Sequence, residues 1–310
     1  MEDSDWIVKS ADEPARGRKP EERSVEELLA NGIVILDKWQ GPTSHDAVAT
    51  VKKVLGLKKV GHAGTLDPAV SGVLPLTLES ACKAIPALQK VDKEYVGIMH
   101  THKDVDEAAL RGIMQAFTGT IRQLPPVRSA VARKERQRRV HAFELLELKG
   151  RDALFRIECE AGTYVRKIVH DVGRQIGGAH MQELRRTRAG PFAEDAAVKM
   201  HDLADAYLQW KQDGDERIRK YVLPVEAAAS HLGKIIVKDS AVRSLTNGSP
   251  LYISGASRVQ KGIRQGDLVA LVTLKGELVA LGRAEADSER MTKSRIAKTD
   301  RVVMIQKTAA

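Results

Sequence analysis

From Ala153 to Cys159 the chain alternates with a period of two. Ala153, Phe155, Ile157 and Cys159 face one way and Leu154, Arg156, Glu158 and Glu160 the other, the pattern of a half-buried strand. Gly162 ends it, and Thr163 is placed to cap a helix with the apolar stripe Val165, Ile168, Val172 and Ile176. Arg166 falls in the first turn, one step off that stripe, so it can point towards a neighbouring loop instead of into the core. Earlier in the chain, Ile33 to Leu36 reads as a strand. Thr43 or Ser44 caps a following helix with Val48, Val51 and Leu55 on its buried face. The run Val70 to Leu78, broken by Ser71, Gly72, Pro75 and Thr77, reads as buried scaffold, and Lys93 to Met99 as a strand. A helix is predicted from Asp106 to Phe117, with Asp104 and Glu107 at capping-box spacing and Gly119 as its stop. Another strand starts near Val140.

Composition shifts after Pro191. A polar helical connector, Met200 to Arg219, leads to short strands at Ile235–Val237, Leu268–Leu274 and Leu278–Leu281, the last two joined by a tight turn at Lys275-Gly276. That spacing predicts a small β-barrel-like domain. The first part lacks strict βαβ alternation and predicts an α+β domain, a mixed and largely antiparallel sheet flanked by helices. Residues 1–30 are polar and charged, either a free arm or a segment packed on the rest, residues 31–230 form the main domain and 231–310 the small one. There is no internal repeat.

At 310 residues the chain is long enough for two domains, and its net charge of +9 points to a polyanionic partner. Aromatic residues are only 4%, so nucleic-acid binding would lean on phosphate and shape more than on stacking. Cys82 and Cys159 lie far apart without CxxC spacing, which suits buried thiols in a reducing compartment. No His/Cys spacing suggests zinc, and neither a membrane-length apolar run nor a signal-peptide core is present, so the expectation is a cytoplasmic protein without metal.

One loop concentrates the chemistry. In Gly61-His62-Ala63-Gly64-Thr65-Leu66-Asp67-Pro68, two glycines open turns closed to other residues, and Pro68 restrains the single carboxylate of Asp67. An Asp before Pro is also an ordinary turn former. A second concentration, Arg128 to Arg139, carries six basic residues against one acid. Lying between Pro125-Pro126 and the strand near Val140, it reads as a flexible loop that can close over a polyanion, with Arg128, Arg133, Lys134, Arg136, Arg138 and Arg139 as phosphate contacts. The alternative is a solvated face.

The stretch GHAGTLDPAVSGVLPL resembles the catalytic motif of TruB-type pseudouridine synthases. Further segments match in the family's order: IVILDKWQGPTSHD from Ile33 to Asp46, Lys93-Glu94-Tyr95, Gly162-Thr163-Tyr164-Val165-Arg166, and Leu184 to Gly190. Lys234 to Glu285 resembles a PUA domain, an RNA-binding module. The resemblance implies that uridine is isomerised without a cofactor: the bond from N1 to the ribose C1′ breaks, the base turns and rejoins through C5. Asp67 would start the reaction, as a nucleophile at ribose or base or as a base at the sugar, in a closed pocket. Arg166 would keep it ionised and aimed, Tyr95 would stack on the base and take part in removing the C5 proton, and Leu184 would wall the pocket. Lys38 and His62 would support the loop or touch RNA, and the polyanion under the basic run would be RNA. Trp39-Gln40 departs from the family's pattern beside Lys38 and weakens an RNA role there.

The uninterrupted passage from the basic run into HAFELLELKGRDALFRIECEAGTY, the GRKPEERSVEELL entry and the PUA-like tail resemble the archaeal and eukaryotic catalytic subunit of box H/ACA ribonucleoproteins, the dyskerin-like group. The absence of a long lysine-rich tail favours an archaeal form. That implies a box H/ACA guide RNA, ribosomal RNA (with transfer RNA as a further substrate), small accessory proteins, and an N-terminal arm packed with the PUA domain. The alternative is a stand-alone synthase acting on the T-arm of transfer RNA. A transglycosylase would need zinc and a barrel of βα units, and neither is legible.

Overall fold

The computed structural model describes residues 5–124, 134–292 and 294–305. Chain order begins with β1 (Trp6–Val8) and α1 (Val25–Ala30), the latter capped by Ser24 and Glu27. Then come β2 (Gly32–Lys38), α2 (Ser44–Val54), β3 (Val60–His62), β4 (Val70–Leu78), α3 (Ile85–Gln89), β5 (Lys93–Thr101), α4 (Glu107–Ala116) and β6 (Gly119–Gln123). They are followed by β7 (Arg136–Lys149), β8 (Asp152–Cys159), α5 (Val165–Gln175), β9 (Ala179–Ala189), β10 (Phe192–Ala193), α6 (Met200–Asp213) and β11 (Val222–Pro224). The last part holds β12 (Gly233–Val237), α7 (Asp239–Thr246), β13 (Leu251–Tyr252), β14 (Ala256–Gln260), β15 (Leu268–Val272), β16 (Leu278–Ala284) and β17 (Arg295–Val302). Among the described residues no helix is long and apolar enough to cross a membrane.

The strands form two sheets. A ten-stranded sheet runs β11-β2-β4-β9-β5-β8-β7-β6, with β3 on β4 and β10 on β9. All its pairings are antiparallel except β4 with β9. A seven-stranded sheet runs β1-β14-β12-β15-β16-β17-β13, antiparallel except for β12 with β15. The fold is therefore α+β with mixed, largely antiparallel sheets, as the sequence predicts. Alternation fixes which side is buried: in β8, Ala153, Phe155, Ile157 and Cys159 are all in the core. Every residue of β4 but Ser71 is buried, the mark of a strand covered on both faces.

The smaller sheet wraps a core of Ile235, Val237, Leu245, Leu251, Val259, Val269, Leu271 and Ile296. A second core, with Ile33, Ile35 and Val73 from the large sheet and Val272, Leu278 and Leu281 from the small one, joins the two. The arm is ordered by β1, whose Trp6, Ile7 and Val8 register with Gln260, Val259 and Arg258.

Several local readings need correction. Helix α4 is capped by Asp106, which accepts from Ala109 N, because Asp104 is taken by Arg151 at 2.8 Å. Thr163 does not cap α5; the Gln123 side chain from β6 pairs with both backbone groups of Tyr164 instead. The predicted connector is split, α6 stopping at Gly214 in the left-handed conformation before a short 3₁₀ segment, Glu216–Lys220. The turn between β15 and β16 is centred on Leu274-Lys275, with Gly276 N bonded back to Thr273 O.

Candidate active site

The parallel pairing of β4 with β9 places the site. It sets Val70 against Leu184 and Gly72 against Arg186, just where the Asp67 loop enters the sheet. On the other side of β9, Tyr95 registers with Arg186 and Gly97 with Leu184. Three of the sequence's candidate segments thus lie on adjacent strands. Helix α5 packs on β9 and presents Arg166 from its exposed first turn.

Arg166 Nη2 donates to Asp67 Oδ2 at 2.7 Å across 99 residues of sequence. Both side chains are more than half exposed, at 59% and 55%. An exposed ion pair contributes only ~0.2–1 kcal/mol to stability, so its consequence is to aim the carboxylate. The closed pocket expected from the resemblance is not formed by the protein alone: Asp67 stands open to solvent.

The backbone below that carboxylate is gripped from several sides. Leu66 and Ala63 are buried anchors. Ser44, the first residue of α2, donates to Leu66 O at 3.0 Å and accepts from Leu66 N at 2.8 Å, while its neighbour Thr43 forms the capping box with Asp46. Lys38 is fully buried. Its Nζ donates to Trp39 O at 2.9 Å and Val70 O at 2.8 Å, with Asp67 O and Pro68 O at 3.4 Å. Burial pushes the Lys38 pKa down, against the pull of Asp67. Lys38 thus grips the backbone of the loop, and its side chain has no exposed surface.

Two further buried cations were missed by the sequence reading. Arg186, in the core, donates from Nε to Val73 O at 2.7 Å and from Nη2 to Gly64 O at 3.3 Å. Lys93 donates to Val91 O at 2.5 Å and Gln89 O at 3.2 Å, and burial followed by the nearby Arg186 lowers its pKa to about 8. The only signal for either was an inward position in a strand register, which a basic side chain normally argues against.

Tyr95 packs against the core, and burial raises its phenol pKa against the opposing charge of Arg186. Leu184 is buried opposite Val70, a wall beneath the loop. His62, at the end of β3, lies edge-on to His45 at 5.3 Å between ring centroids, and its pKa is lowered chiefly by burial.

The basic run divides. Arg128 and Arg133 lie outside the described residues, and Lys134 is exposed without regular structure. Arg136, Arg138 and Arg139 were expected in a loop, but they belong to β7, in register with Gln123, Ile121 and Thr120 of β6. Arg138 is bound to Glu160 at 3.2 Å and lies against Gly162, so this strand end borders the turn into the Arg166 helix. Cys159 is a buried thiol, pushed up to about 12 by that burial. Among the described residues no group of three or more His, Cys, Asp or Glu side chains could hold a metal ion.

Residues 52–165 match the TruB family pseudouridylate synthase (N terminal domain), residues 166–230 the tRNA pseudouridylate synthase B C-terminal domain, residues 233–305 the PUA domain and residues 4–48 the DKCLD (NUC011) domain. A protein of Methanopyrus kandleri named "Probable tRNA pseudouridine synthase B" is 51% identical over 93% of this chain and 87% of its own length. A Pyrococcus furiosus protein of the same name is 51% identical over 90% and 83%. Among solved structures, a Cbf5-Nop10-Gar1 complex contains a chain 48% identical, with a TM-score of 0.92 over 96% of this chain and 94% of that one. A chain in an H/ACA RNP bound to a substrate RNA containing 2′-deoxyuridine is 46% identical, with a TM-score of 0.90 over 97% and 94%.

Proposed function

The chain belongs to the TruB family of pseudouridine synthases, enzymes that isomerise RNA uridines, and from that premise we propose that it works as the guide-directed catalytic subunit of a box H/ACA particle. In this reading Asp67 opens the glycosidic bond of a uridine in ribosomal RNA, with transfer RNA as a further substrate. The observation that carries it is the 2.7 Å contact between Asp67 and Arg166. One carboxylate is aimed outward from a clamped loop, reachable by a nucleotide extruded from its helix.

The chemistry asked of these residues balances within one nucleotide. The N1–C1′ bond breaks, C5 bonds to C1′, and the C5 proton leaves while N1 regains one. Asp67 acts at the sugar or the base, and Arg166 holds its carboxylate in place. Tyr95, on the strand beside β9, stacks on the base and takes part in removing the C5 proton, and Leu184 limits the base's travel. RNA completes the enclosure that the free protein lacks. Unstacking the nucleotide costs a few kcal/mol, offset by phosphate contacts along Lys134, Arg136, Arg138 and Arg139 and, beyond the described residues, Arg128 and Arg133.

We divide the chain into a catalytic unit of residues 31–230, a PUA unit of 231–310 that holds guide RNA, and an arm of residues 1–30 that joins the PUA sheet. The chains solved with Nop10 and Gar1, and in an H/ACA RNP with substrate RNA, support a particle with small accessory proteins and a guide, which we assign to an archaeal cytoplasm. A second reading, a stand-alone transfer RNA synthase, is favoured by the names of the curated relatives.

Tritium release from C5-labelled uridine tests both. With guide RNA and accessory proteins the wild type should release tritium and Asp67→Asn should not, while RNA binding stays nearly unchanged. A wild type silent under those conditions would refute the enzyme reading. Efficient conversion of a bare transfer RNA transcript, with no response to guide RNA, would favour the second reading.

A further inference from the structure

Arg186 heads the largest side chains that the fold buries completely, and this is a costly choice. Among the described residues no carboxylate is bonded to it, and the ionisable groups that feel its charge include Lys38, Lys93 and His62, whose own pKa values it helps to lower. A cation desolvated in this way costs several kcal/mol, and a methionine would fill much of the same space without that cost.

The geometry indicates what the guanidinium does there. Its two bonded carbonyls belong to Gly64 and Val73, which bracket Asp67 on either side. The backbone of Arg186 registers with Gly72 of β4 and with Tyr95 of β5, and its charge acts on the Tyr95 phenol. One planar group therefore bonds both flanks of the acid's loop, from the strand position that pairs with the aromatic residue. A guanidinium has five donors in a fixed plane and so holds its acceptors at set angles, which a rotatable ammonium does not.

We propose that Arg186 is a positioning residue for the isomerisation, locking the span from Gly64 to Val73 and the Tyr95 ring into one frame so that acid and ring meet the same extruded base. It touches neither substrate nor reacting atoms, and the inference rests on the functional reading above.

The test uses the assembled particle with guide and substrate RNA, and compares Arg186→Met and Arg186→Lys with wild type at saturating RNA, corrected for the folded fraction. Displacing a reacting group by about an ångström costs on the order of a hundredfold in rate. The methionine variant should lose about that much kcat, with KM within threefold. The lysine variant, which keeps the charge and loses the fork, should still be down about tenfold. A purely structural role would leave kcat per folded molecule unchanged, and a role in RNA binding would move KM instead; either result overturns the proposal. If the methionine variant does not fold, the lysine variant decides by the same criteria. An inactive wild type would refute the functional reading, whereas an active wild type with normal Arg186 variants would refute this inference alone.

Discussion

Gly72 gives the sharpest test of how the site is built. Its φ is +103°, and a Cβ added there would lie 2.2 Å from Arg186 O and 2.9 Å from Arg186 N. Both obstacles are backbone, so no side chain can swing aside. Gly41 is the natural control: its φ is +110°, with nothing within 4 Å of the same added atom. In each, Gly→Ala imposes the left-handed backbone penalty, about 1–2 kcal/mol. Only at Gly72 must β4 and β9 part by roughly an ångström as well, an overpacking cost of about 1–3 kcal/mol. Gly72→Ala should therefore lose about 2–5 kcal/mol and Gly41→Ala about 1–2. Guanidinium unfolding followed by the fluorescence of Trp6, Trp39 and Trp210 measures both. The same displacement shifts Leu184 and Arg186 against the Asp67 loop, so Gly72→Ala should also lose on the order of a hundredfold in tritium release per folded molecule. If the two variants unfold within about 1 kcal/mol of each other and Gly72→Ala keeps its rate, the strand contact does not organise the site.

Arg166→Lys should lower the rate at least tenfold, because an ammonium cannot reproduce the planar donor, yet change stability by less than about 1 kcal/mol, because the ion pair is exposed. A melting temperature that falls in step with activity would contradict this. Lys93 predicts a dependence on pH. Its folded pKa of about 8 lies below the ordinary 10.5 because burial disfavours the charged form. Between those values the unfolded chain holds the extra proton, so stability rises with pH across that window, by about 3 kcal/mol, and is independent of this group below it. Urea unfolding at pH 7.5, 9 and 10.5 should show that rise in wild type and its loss in Lys93→Met; parallel profiles would rule it out.

Much of this arrangement is legible before folding. The period-two pattern of Ala153 to Cys159 gives β8 and its buried face, and the stripe from Val165 gives α5 with Arg166 held clear of it. The Gly-rich loop before a buried strand marks Asp67. What fails is decided by partners remote in sequence. Thr163 has the chemistry of a cap, but Gln123, 41 residues from Tyr164, reaches its backbone. Asp104 fits a capping box until Arg151 claims it. A run of arginines reads as a flexible loop, although Arg136, Arg138 and Arg139 continue a strand whose pairing depends on β6. The buried Lys38, Lys93 and Arg186 are hidden for a related reason. Basic residues signal surface until a ring of backbone carbonyls supplies the solvation that water would have given.

The short strand at the start of the chain has a consequence for assembly. Trp6 to Val8 can pair only with a segment some 250 residues later, so during synthesis it must wait until nearly the whole polypeptide has emerged. Without that first strand β14 would present a naked rim of amide and carbonyl groups, the kind of template on which copies of a protein polymerise. Three residues suffice to occupy that rim, and they are too few to recruit another strand in turn. A fragment made without its first strand should therefore tend to self-associate even where its own core is intact.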